Sequence, residues 1–223
     1  MPTTLITGCD TGIGREFASQ YLREGWDVVA TYLDPKTALP GHPRLRNLPL
    51  DVTDASAFEE IARQVGAEPI DLLISNAGIG LDTGKLKTLN FDYVRSMYEV
   101  NTLGPLRLVA ALADNVAASR QRRIVAITSR MGAINLNLSG GHYGYRASKA
   151  GLNALMKSLA IDLFPQGVTV AIIHPGWVDT AGGGGDAALP VDESVNSMRR
   201  VISRLGNHET GIFLSYDGSP LPW

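Results

Sequence analysis

Short apolar runs alternate with longer stretches of helical periodicity along the whole chain, and few folds are open to a polypeptide built this way. Such runs joined by helical stretches read as βαβ units, whose strands lie parallel and must be covered on both faces. Strands are predicted over residues 5–7, 27–31, 46–50, 72–75, 123–128, 169–174 and, briefly, 212–214. Between them, apolar residues recur at three- and four-residue steps over 13–24, 55–65, 91–118, 143–163 and 191–204. The expectation is an α/β protein with a doubly wound, seven-stranded, mainly parallel sheet carrying helices on both faces. With 223 residues, 44% of them hydrophobic, the chain can enclose one large core, so 1–223 reads as a single domain. The glycine run 182–185 reads as a mobile loop, and Pro190 with Asp192 and Glu193 suits a fresh helix start after it.

Charge and cysteine usage narrow the partners. A net charge of −2 without a basic run offers no source for the counterion-release attraction of nucleic-acid binding. A lone Cys9 closes no intramolecular disulfide and makes no structural zinc site. His42, His142, His174 and His208 lack ligand-like spacing, so no metal is expected. The first residues enter a strand at once and no apolar run approaches 18 residues, which predicts a cytoplasmic protein without a membrane segment.

Gly8, Asp10, Thr11, Gly12 and Ile13 lie in a turn, closed by Gly14, that follows the first strand and opens the first helix. Glycines there let backbone approach a pyrophosphate at a helix N-terminus, although an ordinary strand-to-helix turn has the same look. Asp51-Val52 ends the third strand, where a carboxylate can accept from an adenine amino group or cap the next helix; Asp54 is the better cap. Asn76-Ala77-Gly78 ends the fourth, either as a plain turn or as small residues beside a ribose with Asn76 pinning neighbouring strands.

Tyr145 and Lys149 stand four residues apart, one helical turn from each other. Such a pair is commonly a surface feature, but it has a chemical use. A phenol of pKa about 10 is too weak an acid for proton exchange near neutrality, and an ammonium together with a nicotinamide cation would lower it. Tyr145 then serves as general acid or base. Ser129 follows the fifth strand and emerges at the same sheet edge, where it can hold a substrate oxygen. Asn101 interrupts a long helical stretch, which points to a kink or a bound water.

With these segments in order, the chain resembles the short-chain dehydrogenase/reductase family over nearly its whole length, and within it the C-factor and Sniffer-type branch. Thr7-Gly8-x-x-x-Gly12-Ile13-Gly14, Asp51-Val52, Asn76-Ala77-Gly78, Asn101, Ser129, Tyr145-x-x-x-Lys149 and Pro175-Gly176-x-Val178-x-Thr180 carry the likeness. It implies a Rossmann fold and an oxidoreductase that moves a hydride between a nicotinamide and an alcohol or carbonyl. The same likeness implies that Tyr145 exchanges the proton, Ser129 holds the substrate oxygen, Lys149 anchors the ribose and Asn101 holds a relay water. Pro175, Gly176, Val178 and Thr180 would close over the nicotinamide, Val178 orienting its carboxamide. A homodimer or homotetramer using the helices at 91–118 and 143–163 is also implied. The segment 135–141 lengthens the path from Ser129 to Tyr145 and should give the substrate pocket a distinctive wall.

The coenzyme is less sharply marked. Tyr32 and Leu33 end the second strand without the acid that would bond a ribose hydroxyl or the arginine that would pair a 2′-phosphate. Asp10 and Asp34 would repel that phosphate, favouring NAD, while Lys36 or Arg44 could serve NADP. A competing reading is a nicotinamide-binding signalling or sensor protein with incidental turnover. Keeping Asn101, Ser129, Tyr145 and Lys149 together favours an enzyme. His142 and Tyr143 suit either a pocket wall or a helix start; Trp177 and Trp223 could touch substrate or a subunit neighbour, with interior packing the default expectation.

Overall fold

The computed structural model describes residues 1–80, 85–179 and 189–223. Seven strands form one all-parallel sheet: β1 (Thr3–Ile6), β2 (Asp27–Tyr32), β3 (Leu45–Pro49), β4 (Leu72–Ser75), β5 (Arg123–Ile127), β6 (Thr169–His174) and β7 (Ile212–Ser215). Their spatial order is β3-β2-β1-β4-β5-β6-β7, so the chain reverses its winding between β1 and β4. A crevice outside the strand ends is expected at that point.

Alternation of side chains across the pleat explains the apolar density of the central strands. Leu5, Leu73, Ile124, Val170 and Ile172 join one core cluster, which α2 (Ala55–Val65), α4 (Gly104–Ala117) and α5 (Tyr143–Asp162) cover. Their neighbours Ile6, Leu72, Ile74, Val125 and Ile173 join the other, under α1 (Gly12–Arg23) and α6 (Val191–Arg204). Among the described residues no helix is long and apolar enough to cross a membrane.

The helix expected over 91–118 is not continuous. It comprises α3 (Phe91–Tyr98), a π-helical turn Glu99–Leu103 and α4. The apolar period runs through all three because a π turn inserts a residue without ending the helix. Strand ends differ from expectation by one or two residues. Thr7 and Thr128 lie beyond β1 and β5, each with its backbone N–H still donating to a neighbouring strand, to Ile74 and Ile173 respectively. The run 182–185 lies outside the described residues.

Candidate active site

The glycine turn is built by close packing. Gly8 has φ +70°, and a Cβ there would stand 2.8 Å from the Ala77 Cα; one on Gly14 would land on the Gly8 carbonyl oxygen and the Asn76 amide. The Thr7 hydroxyl accepts from the backbone N–H of Asn76 at 3.0 Å and of Ala77 at 3.1 Å. Asn76 in turn donates its amide to the carbonyls of Thr7 and Gly8, at 3.0 and 3.1 Å, so the ends of β1 and β4 are locked together at the reversal point. Thr11, at the N-cap of α1, makes no side-chain cap bond, which leaves the first-turn amides available.

Above this turn opens a cleft of about 370 Å³. Gly8, Asp10, Thr11, Gly12 and Ile13 line it from one side, Asp51 and Val52 from another, and Asn76, Ala77 and Gly78 from a third, with Leu33 at one end. Asp54, not Asp51, caps α2, its carboxylate accepting from Ser56 N–H at 2.9 Å. Asp51 spends one oxygen on the backbone and hydroxyl of Thr53, at 2.8 and 2.7 Å, and stands in the cleft wall.

Asp10 has a second use that its place in the turn did not reveal. Its Oδ1 accepts from Leu33 N–H at 2.9 Å, Asp34 N–H at 3.1 Å and the Thr37 hydroxyl at 2.6 Å, fastening the segment after β2 to the glycine turn. Arg15 reinforces it by donating to the Thr37 carbonyl at 2.9 Å. Arg44 does not face this end. Its guanidinium is tied to the Gly25 carbonyl, between α1 and the start of β2, at the opposite edge of the sheet from the cleft.

At the far end of the crevice the polar residues converge. Lys149 is buried in α5 and donates to the Ile127 carbonyl at 3.1 Å; burial pushes its ammonium down to about 8 from an ordinary 10.5. Its Nζ lies 5.9 Å from the centre of the Tyr145 ring. The Tyr145 hydroxyl is hydrogen-bonded to Ser129. Burial raises the Tyr145 phenol above its ordinary value and the Ser129 bond acts the other way; the lowering expected from Lys149 is not seen in the protein alone. Ser129 Oγ also accepts from Met131 N–H at 3.1 Å, which fixes the serine as β5 turns into the loop. Gly78 joins the two ends: a Cβ there would stand 3.2 Å from Asn101 Oδ1 and 3.6 Å from Lys149 Nζ.

Asn101 sits fully buried in the π turn. Its amide accepts from Ile79 N–H at 2.8 Å and donates to the Ile79 carbonyl and to Ser148 Oγ, each at 3.1 Å. Both amide hydrogens are thus committed, so the side chain clamps the segment after β4 to α5 and keeps only acceptor capacity for a water. Ser148, silent in the sequence, is its partner on α5.

The segment after β6 turns sharply at Gly176, φ +87°, where a Cβ would meet Leu189 at 2.5 Å and Tyr216 at 3.1 Å. Val178 pairs with Leu189, with Asp179 N–H donating to the Leu189 carbonyl at 3.0 Å. The fully buried Ser194 of α6 donates to the Pro175 carbonyl at 2.6 Å, a second tether absent from the sequence reading. Pro175, Gly176 and Val178 do not line the 370 Å³ cleft, and Thr180 lies outside the described residues.

The tryptophans depart from expectation: Trp177 is 60% exposed, and Trp223 is 43% exposed while its ring packs 5.5 Å from that of Phe213. His142 takes the N-cap position of α5 in a left-handed conformation. His174 is pushed down to about 4, first by burial and then by Arg130, with Asp217 opposing. Among the described residues no group of three or more metal-ligating side chains occurs.

The cleft fits a dinucleotide. Glycine backbone leaves room for a pyrophosphate, α1 amides face it, and Lys149 stands with Tyr145 and Ser129 where the crevice continues beyond Gly78. Comparison with known proteins agrees. The short chain dehydrogenase family model matches residues 2–188. The C-signal protein of Myxococcus xanthus is 40% identical over 162 residues, covering 73% of this chain and 98% of that one. Carbonyl reductase Sniffer of D. melanogaster superposes with a TM-score of 0.92 at 29% identity, covering 100% of both chains. An NADPH-bound carbonyl reductase from chicken fatty liver gives a TM-score of 0.89 at 30% identity, covering 100% of this chain and 99% of that one. A matching family model across most of the chain, superposition over the full length of a solved carbonyl reductase and a glycine turn opening on a buried lysine place this chain in the short-chain dehydrogenase/reductase family, as an NAD(P)-dependent oxidoreductase of alcohol and carbonyl groups.

Proposed function

We propose that this enzyme interconverts a carbonyl and an alcohol with Tyr145 as the proton donor or acceptor, Ser129 holding the substrate oxygen, Lys149 anchoring the ribose and Asn101 supporting the relay. The observation that carries this reading is the convergence of Lys149, Tyr145 and Ser129 at one rim of the sheet, the ammonium 5.9 Å from the phenol ring and the two hydroxyls bonded to each other.

The nicotinamide supplies or accepts the hydride when bound. The chain's own part is geometry and charge. A carbonyl oxygen placed between the Ser129 and Tyr145 hydroxyls receives two donors, and the phenol releases its proton to that oxygen as negative charge grows on it. Raised by burial, the neutral phenol is the resting form, ready to donate in the reducing direction. In the oxidising direction, the positive charges of Lys149 and of the oxidised coenzyme favour the phenolate. Gly8, Asp10, Thr11, Gly12, Ile13, Asp51, Val52, Asn76, Ala77 and Gly78 would hold the dinucleotide, and the nicotinamide end would fall to Pro175, Gly176, Val178 and Thr180.

We read the preferred coenzyme as NAD. Asp10 keeps a carboxylate in the cleft wall beside Leu33, Asp34 follows, and Arg44 is held elsewhere, so of the two cations named for NADP only Lys36, in the turn after Asp34, stays near to offset that negative charge. NADPH is bound in the chicken carbonyl reductase, and comparing NADH with NADPH affinity decides the question for this chain. We further read residues 1–223 as one domain of a cytoplasmic homodimer or homotetramer formed through α3, α4 and α5, which light scattering checks.

The test of the mechanism is turnover of a panel of aldehydes, ketones and quinones with NADH or NADPH, repeated with Tyr145→Phe. The variant is expected to bind coenzyme as the wild type does and to lose at least about 10²-fold in rate. Equal rates in the two proteins would remove Tyr145 from the proton transfer.

A further inference from the structure

A second cavity, of about 430 Å³, lies between the first turns of α5 and the loop that leads from Ser129 to it. Neither Ser129, Tyr145, Lys149 nor Asn101 lines it. Its walls are largely apolar, with Met131, Ala133 and Ile134 from the loop and Ala147 and Ala150 from α5. Arg146 is its one charged lining residue.

That arginine is incompletely used. Its Nη2 donates to Ser139 Oγ at 3.0 Å, and among the described residues no carboxylate forms an ion pair with it; its Nε, also without an acceptor, is sealed from solvent. A guanidinium that borders an apolar recess and has no carboxylate partner favours an anionic oxygen there. The recess is of the size that encloses small organic ligands, roughly 300–1,000 Å³. Its floor is preformed: Gly132 packs so closely on Lys149 that a Cβ would stand 2.8 Å from the lysine carbonyl carbon, and Met131 is held by Ser129.

We propose that this cavity is a second ligand site, for a small amphipathic monocarboxylate whose apolar tail lies along Met131, Ile134 and Ala150 while its carboxylate meets Arg146. Asn137, Gly140 and Gly141, from the segment expected to wall the substrate pocket, line this cavity, and the proposal does not rest on Tyr145 acting as the acid.

Octanoate titrated calorimetrically into the full chain saturated with NADH tests it. Saturable binding of one octanoate per chain is expected, with octylamine giving none. Arg146→Gln should weaken octanoate at least about tenfold by removing the charge-assisted bond. Ala150→Leu, which fills the recess without altering the guanidinium, should abolish binding, and both variants should bind NADH like the wild type. Absence of saturable binding, equal binding of octylamine, or wild-type octanoate affinity in both variants would overturn the proposal.

Discussion

The ammonium of Lys149 donates to the Ile127 carbonyl at 3.1 Å while only 5% of the residue meets solvent. One neutral acceptor does not replace the water lost, so the charge is held at a cost and the group titrates at about 8 instead of 10.5. Below about pH 8 both folded and unfolded chains carry the proton, and the folded state bears the full cost. Between about 8 and 10.5 the unfolded chain binds a proton that the folded one has released, so stability rises with pH.

Urea unfolding at pH 7.5 and 9.5 reads this directly. The wild type is expected to gain on the order of 2 kcal/mol across that interval relative to Lys149→Met, which has no group to titrate there. Tyr145 shifts the opposite way, raised above its ordinary 10, and erodes stability only above that pH, outside the interval. A parallel pH dependence in the two proteins would show that the ammonium is not desolvated.

Gly14 is the position in the coenzyme turn least able to change. A Cβ there falls on the Gly8 carbonyl oxygen and the Asn76 amide that ties β1 to β4, and backbone cannot move aside as a flexible side chain would. Gly14→Ala is expected to lose at least about 2 kcal/mol in denaturant unfolding and to lose dinucleotide binding as well. An alanine variant of wild-type stability that still binds NADH would show that the strand ends are looser than the packing implies.

Much of this architecture is legible in the sequence, and the illegible parts share a cause. The bounds of α2 and α6 follow from Asp54 at one cap, Pro190 before the other and clean apolar periodicity within each. The motif residues of β1, β3 and β4 meet in the cleft as expected because strand ends in a parallel sheet share one edge. The π turn is legible only in part: Asn101 points to a kink or a bound water, but the apolar pattern runs on through it and does not say what kind of turn forms. Arg44 looked available, but it directly precedes β3, and the start of a strand in this parallel sheet lies at the edge away from the cleft. Asp10, Ser148 and Ser194 owe their roles to partners 23 or more, 47 and 19 residues away, distances over which periodicity carries no information.

Asp10 offers a test of coenzyme choice that separates charge from scaffolding. Asp10→Asn keeps the oxygen that accepts from Leu33, Asp34 and Thr37 but removes the negative charge from the cleft wall. The ratio of NADPH to NADH affinity, measured by fluorescence titration, is expected to rise on the order of tenfold, because a charge several ångströms from the phosphate acts at that scale in a half-solvated site. Asp10→Ala, which also frees the segment after β2, should weaken NADH. An unchanged ratio in the asparagine variant would place the discrimination elsewhere.

Ser194 extends the site into α6. Its hydroxyl, fully buried, is the donor that fixes the Pro175 carbonyl at 2.6 Å, and the next residue, Gly176, turns in a left-handed conformation that allows no Cβ against Leu189. Ser194→Ala leaves that carbonyl without its partner, a loss of about 1–3 kcal/mol if no water replaces the hydroxyl. Because the tether acts on the segment expected to close over the nicotinamide, and not on Tyr145 or Ser129, the burden should fall on coenzyme binding. The KM for the dinucleotide is expected to rise about threefold to tenfold while kcat at saturation changes less than about twofold, since an interaction equal in ground and transition states alters binding alone. Steady-state kinetics in the two coenzyme regimes checks the split. A fall in kcat with KM unchanged would mean that the tether serves the reacting geometry and that α6 reaches the chemistry by another route.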